Sequence, residues 1–239
     1  MRIAFEAPIG NAKFALEQSD YIFAIAPMLK IPEYAEAVKE ARKTGKELYI
    51  DNGVYEGQLM GVDEYLELCY KWEPKVVVAL DVLLNQSETE RLSKEFFEKL
   101  GTKLPFEVMY VLQGRNFDQR LAGYFYIARH YRVSIIGLGL GAFDKNWRSR
   151  IRFLSLLESA YTKRIHLLGA MNVHDLCFWQ GIAESVDTSL PFHLAQEGKL
   201  GLFERKETKR LDWSDTLVGE RFDRAVWNVE KVREALSVV

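Results

Sequence analysis

At 239 residues, 48% hydrophobic and 28% charged, the chain has the make-up of a globular protein with a large core, at a length where alternating strand–helix barrels form one domain. A formal net charge of -2 excludes a uniformly basic nucleic-acid-binding protein, so any such contact must come from local clusters. Cys69 and Cys177 stand alone, which excludes a disulfide framework and a cysteine zinc site and fits a reducing, cytoplasmic setting.

The N-terminus, Met1-Arg2-Ile3-Ala4-Phe5-Glu6, has no signal-peptide core, and no apolar run approaches the ~18 residues that a membrane span needs. A soluble, unprocessed protein without a membrane partner is expected. Residues 2–7 read as an added N-terminal strand. Short runs rich in Val, Ile, Tyr and Phe then recur at 21–26, 48–50, 75–80, 107–112, 133–136, 164–168 and 183–186. Their starts lie about 19 to 32 residues apart, one strand–helix unit each. An eighth strand is expected near 199–204.

The segments between them have helical spacing. Residues 31–44 place Tyr34, Ala37, Val38 and Ala41 on one face, open with Pro32 and Glu33, and stop at Gly45. Residues 63–72 put Tyr65, Leu66, Cys69 and Tyr70 on one stripe, with Asp63 as the expected N-cap. Residues 87–100 open with a Ser-x-x-Glu signal and break at Gly101. Residues 117–129, 146–160 and 172–180 repeat the theme, and 222–236 reads as a closing helix bearing Phe222, Val226, Val229, Val232, Arg233 and Leu236. Glycines and prolines are dispersed at element ends, without a linker. The expectation is an α/β chain forming a single (β/α)8 TIM-barrel domain over 1–239, with an extra N-terminal strand.

In such a barrel the residues at the C-terminal ends of the strands face the active site. Here those positions are Pro27, Asp51, Asp81, Gln113, Gly137, Gly169 and Asp187, so three carboxylates and an amide are expected to converge. A single Asp after a strand is ordinarily a helix cap or a turn former; the set of four polar residues is what marks a site. Glycines at 137, 139 and 141 either let backbone approach a flat ligand or merely turn the chain. His166, inside an apolar run, reads as a packed strand residue, and His130, His174 and His193 lack metal-ligand spacing. Neither a metal nor a cofactor is called for.

The local sequences carry a family resemblance. Leu48-Tyr49-Ile50-Asp51-Asn52-Gly53-Val54-Tyr55-Glu56 resembles the Asp-Ser-Gly-Gly-Phe-Gln segment of the tRNA-guanine transglycosylases. Val78-Ala79-Leu80-Asp81 is similar to their next strand end, Val111-Leu112-Gln113-Gly114 to their Val-Gln-Gly, and Ile136-Gly137-Leu138-Gly139-Leu140-Gly141 to their glycine loop. Ile165-His166-Leu167-Leu168-Gly169 and Val186-Asp187-Thr188-Ser189-Leu190-Pro191 resemble the last two. The six motifs follow the family's order. The resemblance implies a TIM barrel that exchanges a guanine in nucleic acid for a 7-deazaguanine base. It implies Asp187 as the nucleophile at C1′ and Asp51 as general acid and base. It further implies Asp81 and Gln113 on the purine edges, the backbone of Gly137 and Leu138 completing the pocket, and Tyr55 stacking on the ring.

The departures narrow the substrate. Members acting on tRNA continue past Leu-Pro into a subdomain in which three cysteines and a histidine hold zinc; here Phe192-His193 follows and residues 192–239 contain no cysteine. Val54 also stands where the family has a second glycine. The chain is most similar to the short, zinc-less relatives with which phages and bacterial DNA-modification clusters place 7-deazaguanines in DNA. DNA is therefore the expected polymer, with tRNA the alternative, and the cytoplasm of a host the setting if the gene is a phage's. An accessory subunit or a homodimer is compatible with this reading.

Phosphate contacts need cations. The candidates are Arg115 beside Gln113, then Lys199, Arg205, Lys206, Lys209 and Arg210 downstream of the nucleophile, and Lys145, Arg148, Arg150 and Arg152 after the glycine loop. A non-catalytic nucleic-acid-binding partner subunit is the second reading, and the presence of both Asp187 and Asp51 speaks against it. An unrelated barrel lyase would want a lysine at a strand end, and none of the expected ends has one.

Overall fold

The continuous apolar runs become short strands buried on both faces, as expected of a parallel sheet covered by helices. The computed structural model describes residues 1–101, 105–139, 155, 164–170, 173–201 and 211–237. Among these the strands are β1 (Arg2–Phe5), β2 (Ile22–Ile25), β3 (Leu48–Asp51), β4 (Val76–Val78), β5 (Glu107–Val111), β6 (Ile135–Gly139), β7 (Arg164–Leu168) and β8 (Ser185–Thr188). They alternate with α1 (Ala12–Gln18), α2 (Pro32–Lys43), α3 (Val62–Trp72), α4 (Gln86–Leu100), α5 (Phe117–His130), α6 (Val173–Trp179) and α7 (Leu190–Gln196), and α8 (Glu220–Ser237) follows. The eight strands are hydrogen-bonded in the order β1-β8-β7-β6-β5-β4-β3-β2.

Two expectations on strands are corrected. Residues 2–5 are not an addition to the eight: β1 pairs in parallel with β8, Ala4 opposite Asp187 and Phe5 opposite Thr188. The other edge of β1 is served by the segment before β2: Ile3 N donates to Asp20 Oδ2 and Phe5 N to Ser19 Oγ, and Ile3 O accepts from Asp20 N, each at 2.8 Å. Lys199 to Gly201, where an eighth strand was expected, are not in a strand. The rest of that segment, all but residue 155 of the helix expected over 146–160, Gly141, and the basic residues Lys145, Arg148, Arg150, Arg152, Arg205, Lys206, Lys209 and Arg210 lie outside the described residues.

The caps also differ from expectation. Gly61, not Asp63, precedes α3, with Asp63 in its first turn. Asn85 caps α4 by accepting from Glu88 N at 3.2 Å, which leaves Ser87 inside the helix. Asn116 does the same for α5, accepting from Gln119 N at 3.0 Å. Asn accepts such a bond as well as Ser does, so at α4 the cap lies two positions before Ser87, while α3 starts from Gly61 without a side-chain cap.

Contacts group the chain into two compact units, one of Met1–Phe23, Met28–Glu47 and Leu167–Val239, the other of Ala24–Pro27 and Leu48–His166. In the first, Tyr21 is fully buried and its hydroxyl donates to Val186 O at 2.8 Å. Helix α8 turns Ala225, Asn228, Val229 and Val232 inward, an i, i+3, i+4, i+7 stripe. Asn228 donates to Pro191 O at 3.2 Å and Lys199 O at 3.3 Å and accepts from Gly201 N at 3.0 Å. Thus an amide, rather than a strand, organises the segment at 199–201.

In the second unit β3 to β6 form a parallel ladder, with Tyr49 opposite Val76, Val76 opposite Glu107 and Met109 opposite Ile135. Val76, Val77 and Val78 are fully buried, each such side chain worth roughly 1.5–3 kcal/mol of burial. The hydroxyl of Tyr65 on α3 lies 3.0 Å from Ile50 O and 2.8 Å from Val78 O. One proton is thus shared between the ends of β3 and β4, pinning both strands where they deliver their polar residues.

Candidate functional site

In the first unit the site residue is Asp187, inside β8 and 3% exposed. Its Oδ2 accepts from Gly169 N at 3.0 Å, and its backbone carbonyl accepts from Ala170 N at 3.0 Å. Thr188 Oγ1 donates to Ala170 O at 2.7 Å and accepts from Leu190 N at 3.1 Å. The turn after β7 is therefore tied to β8 on both sides of the carboxylate. Gly169 has φ +70° with open space where a Cβ would lie, so its role is conformational: it swings its N–H onto Asp187. Leu190-Pro191 opens α7, where proline at the first turn loses no helical hydrogen bond. His166 and His193 are both buried.

In the second unit Asp51 ends β3 and its Oδ2 accepts from Gly53 N at 2.8 Å, while Asn52 Oδ1 accepts from Val54 N at 2.9 Å. Two overlapping side-chain turns thus fix Asp51. Gly53 has φ +78°, and a Cβ there would meet Pro27 Cδ and Cγ at 2.7 Å, so only glycine fits. Tyr55 follows on a turn and is 46% exposed.

Asp81 and Gln113 lie past the ends of β4 and β5, both buried, and they bind each other: Gln113 Nε2 donates to Asp81 Oδ2. Asn52 Nδ2 donates to the other Asp81 oxygen at 2.6 Å and to Ala79 O at 2.9 Å. Gln113 Oε1 accepts from Leu84 N at 2.9 Å. Burial pushes the Asp81 carboxyl up to about 6, against the opposing pull of the bonds from Asn52 and Gln113. Asn52, fully buried at the hub of this network, was not anticipated, because nothing in its position after the β3 run shows that the amide reaches Asp81.

Gly137 and Leu138 are inside β6 rather than in a loop beyond it, and Gly137 O accepts from Leu112 N at 3.0 Å. Arg115 follows Gly114 on the approach to α5 and is exposed, its backbone N–H held by Gln119 Oε1 at 2.8 Å. The Lys199 ammonium pairs with Glu197. Arg205 and Lys206 lie outside the described residues. Among the described residues no group of three His, Cys, Asp or Glu side chains could hold a metal ion. Nor is any helix among them long and apolar enough to cross a membrane.

Strand order and alternation define the class: eight parallel strands with helices between them in a nearly closed (β/α)8 TIM barrel. No family model matches the chain, and no curated protein matches it. Among solved structures it is similar to tryptophan synthase subunit alpha from Legionella pneumophila str. Paris, with TM-score 0.55 at 10% identity, covering 100% of this chain and 93% of that one. It is also similar to the catalytic domain of the hyperthermophilic chitinase from Pyrococcus furiosus, TM-score 0.51 at 12% identity, covering 98% and 92%. N-acetylneuraminate lyase from Mycoplasma synoviae gives TM-score 0.50 at 14% identity over 80% and 67%. Identities this low speak for the fold alone.

Proposed function

We propose that the chain is an enzyme, a guanine transglycosylase that replaces guanine by a 7-deazaguanine base in nucleic acid, with DNA as the polymer. The observation that carries the reading is the Asp187 carboxylate, buried in β8 and aimed by Gly169 N, at the position that the ordered motifs assign to the nucleophile. An Asp oxygen attacks C1′ as the C1′–N9 bond breaks and guanine departs with that electron pair, taking a proton from Asp51. Asp51 then removes a proton from the incoming base, whose nitrogen attacks C1′ and expels the carboxylate. A carboxylate suits this exchange because it meets a cationic sugar carbon and leaves again. The Asp81–Gln113 pair offers an acceptor and an amide for the purine edge. For DNA speaks the stretch after Pro191, which has no cysteine where tRNA-acting members place zinc ligands.

The test is incorporation of radiolabelled guanine, and of labelled 7-deazaguanines, into plasmid DNA, heat-denatured plasmid and tRNA. Label should enter DNA, and Asp187→Asn should reduce it by on the order of 10³-fold or more. Incorporation into tRNA alone would overturn the choice of polymer, and incorporation into none of them the reaction.

A further inference from the structure

The exchange reaction gives no part to Asn52, a fully buried side chain bonded to one of the residues that the reaction uses. Its Oδ1 accepts from Val54 N at 2.9 Å, and its Nδ2 donates to Ala79 O at 2.9 Å and to Asp81 Oδ1 at 2.6 Å. Both amide hydrogens are thus spent inside the protein. Such a side chain acts on a ligand only through its neighbours.

The two ends of this network settle the direction of every bond in it. Val54 N and Leu84 N are backbone donors, and they face Asn52 Oδ1 and Gln113 Oε1. Each amide must therefore turn its NH2 group inward, and both meet the Asp81 carboxylate, one on each oxygen. Neither amide can flip without setting its carbonyl against Asp81 and its NH2 group against a backbone N–H. What Asp81 and Gln113 have left for a ligand is acceptor capacity on the carboxylate and the second N–H of the amide. Asn52 also opposes the effect of burial, which pushes the Asp81 carboxyl up to about 6 while the bonds from Asn52 and Gln113 pull it down. Without the Asn52 bond the carboxyl would stand higher still and carry a proton over more of the neutral range, offering an O–H where a base with N–H groups needs an acceptor.

Resting on the transglycosylase reading, we infer that Asn52 is a positioning residue that sets base specificity: by donating to Asp81 it keeps that side chain an acceptor beside the remaining N–H of Gln113, so that the pair takes a purine whose edge carries a carbonyl next to N–H groups, as guanine and its 7-deaza forms do. A buried site built to bond an N–H discriminates against an analogue that lacks it, because the site's own polar group is then left unpaired.

The experiment measures exchange of labelled guanine into DNA near neutral pH, with hypoxanthine, which lacks the 2-amino group, as competitor, for the full chain and for Asn52→Ser and Asn52→Ala. Asn52→Ser separates the two sides of the amide: the hydroxyl can still accept from Val54 N and keep the turn beside Asp51, but it is too short to reach Asp81 as well. It should raise KM for guanine about tenfold or more, leave kcat within about threefold, and shrink the preference for guanine over hypoxanthine about tenfold. Asn52→Ala should match it in KM and preference and lower kcat besides, as that turn loosens. An unchanged KM and preference in Asn52→Ser, or a fall in kcat alone, overturns the inference and leaves the transglycosylase intact. If neither variant unfolds cooperatively on heating, the amide is needed for the fold itself and the specificity role is likewise overturned. Absence of exchange by the unaltered protein on every polymer instead removes the transglycosylase reading, and the role of Asn52 falls with it.

Discussion

Asp81 shows how one residue can be legible in type and illegible in role. Its place after an apolar run marked it as a strand-end carboxylate, but spacing carries no information on whether two strand-end residues face each other. In the fold both its oxygens accept from amide groups, of Asn52 and Gln113, an arrangement made for a carboxylate rather than an acid. Burial still dominates and holds it near 6, above its ordinary 3.8. A carboxyl with a higher pKa in the folded state binds its proton more tightly there. Its contribution to stability is therefore complete below the unfolded value and is lost as pH rises through about 6. A shift of this size corresponds to about 3 kcal/mol. Urea unfolding from pH 3.5 to 8 should show the protein losing about that much relative to Asp81→Asn, most of it between pH 4 and 6.5. A difference that stays constant with pH would show that burial is offset by the two amides.

At the scale of elements, the alternation of strands and helices was readable because buried parallel strands are continuous apolar runs and their covering helices are amphipathic. Helix boundaries fell within one residue for α2, α3, α4, α5 and α6. The misreadings share a cause: pairing between distant segments leaves no local trace. Residues 2–5 looked supernumerary because nothing in their sequence names β8 as a partner, and 199–201 looked like part of a strand because the buried amide that holds them, Asn228, lies on a helix far along the chain. Short α1 and α7 were missed; α7 buries every residue from Leu190 to Ala195, so no polar face marks it as a helix. In α8 the inward stripe includes Asn228, which a hydrophobic pattern discounts. Removing it leaves the buried Pro191 O and the part-buried Lys199 O and Gly201 N without the amide, so Asn228→Ala should cost about 2–4 kcal/mol. Thermal unfolding would register that as a clear drop in Tm, and an unchanged Tm would mean that water replaces the amide.

At the scale of the whole molecule, fold and chemistry stand on different grounds. The barrel follows from strand order and is shared with enzymes of unrelated activity, so it cannot select a reaction. The proposed reaction rests on residues expected at strand ends, of which Asp51, Asp81 and Gln113 lie at or just past the ends of β3, β4 and β5 and Asp187 inside β8. What the sequence could not reveal was the bracing: Gly169 aiming Asp187, Asn52 joining Asp51's turn to Asp81, and Gln113 holding Leu84. These are bonds from side chains to backbone or to other side chains, set by three-dimensional proximity rather than residue type. The central claim is that Asp187 becomes covalently bonded to a nucleic-acid sugar. Mixing the protein with DNA without an incoming base, quenching in denaturant and sequencing the nucleotide-bearing peptide by mass spectrometry tests it directly. The expected result is a sugar-linked adduct on Asp187 that is absent in Asp187→Asn. An adduct on another residue, or one that persists in Asp187→Asn, would contradict the account.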